Sequence, residues 1–254
     1  MFRNPFDGAR AKIERSHRHF DELVAEEAAY MQPEKIIIDL VRQPNGDTKG
    51  YGRLSSIPTL QHCAIVADIL GAFRSSLDIA VYEAARSLAK NEIGKIYFAF
   101  GKDEAGWNKV VRQNMRGVDS RVCDVVRRFR PWTENGNVVL AALNPLVNAD
   151  KHVQLVGLAG GPSEMSIDGL SLHRDDGKAC HYMGKVPVWT DANPTEIFTV
   201  GAPATVEITG DCTITPRFGF GAVHGLPLVS AVAILNEMGS ICEKVIDAME
   251  EAVR

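Results

Sequence analysis

The sequence predicts an α+β fold. It combines a largely helical N-terminal part, built around a long central helix and one short hairpin, with antiparallel C-terminal strands and a closing C-terminal helix. Three observations predict it. From Thr59 to about Ala89, Ile65, Val66, Ile69, Leu70, Phe73, Leu77, Val81, Ala84 and Leu88 recur at helical spacing and trace an apolar face wide enough to be largely buried. After His152 the chain changes to short β-branched runs separated by Gly, Pro, Asn and Asp. From Leu226 to Val253 helical periodicity returns through Leu228, Val232, Leu235, Met238, Ile241, Val245, Ile246 and Met249. The expected organisation is one α+β domain over residues 1–254: a helical part at about 1–151, a strand-rich part at about 152–222 and a closing helix at about 226–253.

Each element has its own local signal. Asp7 to Met31 repeats Ile13, Phe20, Leu23, Val24 and Ala28 at helical intervals among many charges, and Pro33 ends the run. Lys35 to Gln43 is rich in branched residues, and Pro44-Asn45-Gly46-Asp47 joins it to a short segment at Tyr51 to Leu54, which is a hairpin signal. Lys95 to Phe100 reads as extended. A helix opens at Lys102-Asp103-Glu104, Gly117 breaks it, Asp119 caps a further helix from Ser120 to Arg130, and Pro131 closes the pair. Asn135-Gly136 turns the chain into a helix from Val138 to about Asp150, where Pro145 is a candidate kink. Strands are expected at Val153–Leu158, Met165–Leu172, Cys180–Trp189, Glu196–Val200 and Ala204–Thr215, with a turn at Arg174–Lys178.

Composition narrows the function classes. The 254 residues are 45% hydrophobic and 24% charged, ordinary values for a chain that buries a core without staples. A net charge of -4 gives no global attraction to nucleic acid or to an anionic membrane. No apolar run approaches the roughly 18 residues that span a bilayer, and the N-terminus carries no apolar signal core. Five cysteines, Cys63, Cys123, Cys180, Cys212 and Cys242, are widely spaced without a C-x-x-C pair, which fits a reducing compartment and hence a cytoplasmic protein.

Two polar clusters interrupt this apolar helical sequence: Arg74-Ser75-Ser76-Leu77-Asp78 and Asn148-Ala149-Asp150-Lys151-His152. Polar groups in buried sequence need partners, so the two clusters are expected to meet in the fold. Arg74, Asp78, Asn148, Asp150, Lys151 and His152 are therefore the candidate binding residues. Asp68, Gly71, Ser75, Asp78 and Tyr82 share one stripe of the central helix, readable as a groove or as a network that fixes a neighbouring helix. No residue is assigned a catalytic role. No metal or cofactor is expected: His17 and His19 do not share a helix face, His173 and His181 lack a third ligand, and the G-x-S-x-G, H-E-x-x-H and P-loop patterns are missing.

A basic stretch from Lys109 to Arg130 holds Arg112, Arg116, Arg121, Arg127 and Arg128, while the final helix is acidic at Glu237, Glu243, Asp247, Glu250 and Glu251. It reads either as a local RNA footprint with Trp107 and Trp132 available to stack, or as solvated faces that attract each other. The long apolar helices leave room for a homodimer.

On the two clusters, together with Phe98-Ala99-Phe100-Gly101-Lys102-Asp103-Glu104-Ala105 and Phe129-Arg130-Pro131-Trp132, the chain resembles a group of uncharacterised bacterial proteins that share R-S-x-L-D and N-x-D-K-H helical motifs. The first motif is also similar to the R-x4-6-H signature of HEPN ribonuclease domains. That resemblance implies a helical RNA site in which Arg74 holds a phosphate, with Ile79 standing at the histidine position and His152 as the replacement acid or base. The competing expectations are a non-catalytic binding or assembly protein, a metal-independent ribonuclease, and a small-molecule acid-base enzyme using Asp150, Lys151 and His152.

Overall fold

A computed structural model describes residues 4–30, 32, 34–54, 57–152, 158–167, 170–174, 182–184, 193–220, 226 and 230–254. The described residues form six helices and antiparallel strands, a mixed α+β protein with N-terminal helices and a closing C-terminal helix. They gather into two compact units. One comprises Met1–Val24, Leu60–Val156 and Ala222–Arg254, and the other Ala25–Thr59 and Gly157–Gly221.

The helical unit is organised by α2, Leu60–Leu88, whose buried residues include Ile65, Val66, Ile69, Leu70, Phe73, Leu77, Val81 and Ala84, the apolar face read from the sequence. The closing helix α6, Ala231–Val253, packs on it. It begins at Ala231 rather than Leu226 because Ser230 leaves the helical conformation and its hydroxyl accepts the Ala233 N–H at 3.4 Å. Also in this unit are α3, Glu104–Asn114, and α4, Ser120–Arg128, capped by the Asp103 and Asp119 carboxylates that accept the Gly106 and Arg121 N–H groups. The fourth helix stops two residues short of Arg130, whose φ of 50° has left the helix. Asn137 Oδ1 then accepts the Leu140 N–H at the start of α5, Val138–His152.

The first helix, α1, spans Asp7–Tyr30, and the unit boundary falls within it. Its N-terminal half is tied to α6: Arg10 reaches Asp247 at 2.8 Å and Glu250 at 2.7 Å, Asn4 donates to Glu250 at 2.9 Å, and His17 lies 3.3 Å from Glu243. The acids of the closing helix thus find the first helix, whereas Arg121 and Arg127 of the basic stretch pair with Asp119 and Glu104 beside them.

In the second unit all strand pairing among the described residues is antiparallel. The sheets run β1 (Glu34–Ile36), β9 (Cys212–Phe220), β4 (Leu158–Ile167); then β2 (Asp39–Arg42), β3 (Thr48–Gly52), β7 (Thr195–Val200), β6 (Tyr182–Gly184); and β5 (Leu170–His173) with β8 (Thr205–Ile208). Their core is Ile36, Leu54, Ile197, Phe198, Val200, Cys212 and Ile214. The expected hairpin closes through a three-residue loop, with Gln43 N–H on Asp47 O at 2.7 Å and Gly46 at φ 89°, a value a side chain would strain. Beyond the reach of β1, β9 is covered by the end of α1: Glu27 accepts the Phe218 N–H at 3.0 Å and Tyr30 stacks on the Phe218 ring.

Several strand expectations need correction. Met165–Leu172 divides into the end of β4 and β5, which pair with different strands, and Ala204–Thr215 divides into β8 and β9. Gly160, Gly161 and Pro162 lie inside β4, because long pairing with β9 overrides weak local propensity. Lys95–Phe100 joins no ladder among the described residues. Of Cys180–Trp189, Tyr182–Gly184 is the described strand; residues 153–157 and 175–181, with the expected turn, lie outside the described residues. Among the described residues, no helix is long and apolar enough to cross a membrane.

Arg10, Asn4 and Arg254 hydrogen-bond Glu250, and the first two dominate in holding its carboxyl down from 4.5 to about 2. A depressed folded value contributes stability above the unfolded value and loses it as pH falls through the folded one. Glu250→Gln should therefore unfold about 1 kcal/mol more easily than the parent at pH 7, with the gap closing between about pH 4.5 and pH 2 in urea titrations read by circular dichroism.

Candidate functional site

The first polar cluster is a closed network. On α2, Arg74 Nε donates to Asp78 Oδ2 at 3.0 Å, Nη1 to Asn144 Oδ1 on α5 at 2.8 Å, and Nη2 to the Phe98 carbonyl at 3.4 Å. The other Asp78 oxygen accepts the Phe98 N–H at 2.8 Å. The guanidinium also lies 4.7 Å from the centre of the Phe100 ring. The Arg74 and Asp78 side chains are 16% and 22% exposed. An arginine four residues before an acid is the weaker order for an isolated helical pair, so the value of this pair lies in what it holds. It supplies both hydrogen bonds of the Phe98 backbone, in place of the missing sheet partner.

The two serines of the cluster turn back on their own helix: Ser75 Oγ, on the predicted stripe, donates to Gly71 O at 2.8 Å and Ser76 Oγ to Phe73 O at 2.7 Å. Arg74 meets α5 at Asn144, one turn before the second predicted cluster. Asn148 is exposed on α5, and the helix continues through His152; the side chains of Asp150, Lys151 and His152 lie outside the described residues. Asn144 was missed because a lone asparagine in an apolar run carries no signal of its own. Its position four residues before Asn148, on the same helix face, is the signal that was there to find.

Beside this network lies an open groove of about 580 Å3, lined by Phe100, Gly101, Lys102, Gly106, Val110, Thr133, Ala141, Asn144 and Pro145. Gly101 is required there, because a Cβ would sit 2.7 Å from the Trp107 backbone nitrogen. Its N–H donates to Pro131 O, and Thr133 Oγ1 and Glu134 N–H both reach the Lys102 carbonyl, so the 100–102 and 131–134 stretches are locked together. Lys102 is paired with Glu134 at 3.0 Å. Hollows of similar volume lie at the end of α2 beside Lys90–Ile96 and between α1 and α6, neither of them lined by the Arg74 network.

The expected stacking role of Trp107 and Trp132 is corrected. They are 2% and 4% exposed, with ring centres 5.6 Å apart, and Trp107 Nε1 is spent on the Ala99 carbonyl. Arg127 lies over the Trp107 ring at 5.6 Å. Among the described residues no cluster of His, Cys, Asp and Glu is placed to hold a metal; His173 is exposed on β5, while His181 lies outside the described residues. The thiols of Cys63, Cys212 and Cys242 are buried, and burial pushes Cys242 far above the ordinary thiol range. Comparison with known protein families, curated proteins and solved structures finds no match to this chain.

Removing the Asp78 carboxylate strands both Arg74 and the Phe98 N–H. Asp78→Ala should cost about 3 kcal/mol of unfolding free energy in urea melts, whereas Arg121→Ala, at an exposed pair, should leave the melt nearly unchanged.

Proposed function

We propose that this protein is a non-catalytic binding protein whose ligand occupies the groove between Phe100, Val110 and α5. The observation that carries the reading is that Arg74 fixes the groove wall from behind. It holds Asn144 by its oxygen and Phe100 by its ring, so a polar group and an aromatic surface stand in fixed positions before any ligand arrives. A volume of about 580 Å3 falls in the range of small-molecule sites, and the lining is mostly apolar with a few polar groups.

The chemistry of the lining supports binding over turnover. Among the described lining residues the one charged side chain is Lys102, already paired with Glu134, and the polar ones are Thr133 and Asn144. The HEPN-type ribonuclease has less support, because Arg74 spends its donors on protein acceptors and Ile79 occupies the position of the signature's histidine. A cytoplasmic setting is supported by the unbridged thiols of Cys63, Cys123, Cys212 and Cys242.

Saturation-transfer NMR with benzyl alcohol, run beside Val110→Trp, tests the reading. A signal in the parent protein that falls at least about five-fold in the variant is expected, since one indole fills much of such a groove. Equal signals in both proteins, or none in the parent, would overturn the proposal.

A further inference from the structure

Resting on the groove assignment above, we propose that the bound ligand carries a carboxamide, whose N–H donates to the Ala141 carbonyl and whose oxygen accepts from Asn144 Nδ2. Three features of the groove wall lead there. Pro145 sits inside α5 and has no N–H, so the Ala141 carbonyl, four residues earlier, is denied the donor that every ordinary helix position supplies. Both residues line the groove.

The second feature is the orientation of Asn144. A guanidinium only donates, so Arg74 can be met only by the Asn144 oxygen, and the observed 2.8 Å contact fixes which way the amide is turned. Its Nδ2 is therefore the end left to donate, and no other hydrogen bond to this side chain occurs among the described residues.

The third feature is placement: Ala141 and Asn144 are three residues apart on α5 and both line the groove, and because helical carbonyls point toward the C-terminus while side chains lean toward the N-terminus, this spacing puts an acceptor and a donor on one wall. An acceptor beside a donor is the complement of a donor beside an acceptor, the edge of an amide. A carboxylate or an ester offers acceptors alone and leaves the Ala141 oxygen facing another oxygen. Phe100, Val110 and Pro145 supply the apolar surround that makes this pairing count, because an unpaired polar group there is costly.

Titration of the 254-residue chain with benzamide and with methyl benzoate, followed by saturation-transfer NMR, tests the assignment. The two probes share a ring and a carbonyl and differ in the N–H. Benzamide should bind about ten-fold more tightly to the parent protein. Pro145→Ala restores a backbone N–H to the Ala141 carbonyl in a residue that favours helix, so it should fold, and the preference should shrink to less than about three-fold. Asn144→Asp keeps an oxygen for Arg74 while removing the donor to the carbonyl that both probes share, and should weaken both by about five-fold or more. Equal binding of the two probes to the parent, a preference that survives Pro145→Ala, or binding of both probes unchanged by Asn144→Asp overturns the carboxamide assignment while leaving the groove assignment standing. No binding of either probe, or of benzyl alcohol, removes both.

Discussion

The helical unit depends on one pairing, that of Arg74 with Asp78, because it serves three elements at once. Through it α2 supplies both hydrogen bonds of the Phe98 backbone, anchors α5 at Asn144 and lays a cation against Phe100. A partly buried ion pair is seldom worth much as a pair, since desolvation offsets most of its attraction. Here the charges are satisfied by a backbone that would otherwise be stranded, so pair and segment are stable only together. Lys95–Phe100 can consequently bury Ile96, Phe98, Ala99 and Phe100, with Tyr97 exposed, without belonging to a strand among the described residues.

The same solution recurs in the second unit. The part of β9 that outruns β1 would present open N–H groups, and the end of α1 supplies Glu27 to take one of them and Tyr30 to cover the ring of Phe218. In both units a helical carboxylate replaces a neighbouring strand. That use of an acid accounts for Arg74 and Asp78 standing in the otherwise apolar sequence of α2.

What the sequence made legible divides along physical lines. Periodicity located the six helices to within a few residues, since burying an apolar stripe leaves a repeating trace in α2 and α6. The Asn45-Gly46 hairpin was readable because its turn demands a positive φ. Sheet membership was not, because β1 pairs with β9 across most of the chain, and Gly160-Gly161-Pro162 enters β4 through pairing rather than propensity. Arg74 and Asp78 were legible as a polar cluster in need of partners. Their actual partners, Asn144 and the Phe98 backbone, were not, since a side chain bonding to backbone outside helix and strand follows no spacing rule. The groove was hidden for a related reason: Pro145 read as a kink in α5, while its consequence for Ala141 emerges only when both are seen on one wall.

The account stands most directly on whether the Asp78 carboxylate holds the Phe98 backbone. Native-state hydrogen exchange of the Phe98 amide measures this, in the parent protein and in Asp78→Ala, with the buried Leu70 amide of α2 as the internal reference. The account expects slow exchange at Phe98 in the parent and a loss of protection of at least about a hundred-fold beyond that at Leu70 in the variant. Fast exchange at Phe98 in the parent, or protection that changes no more than that of Leu70, would contradict it.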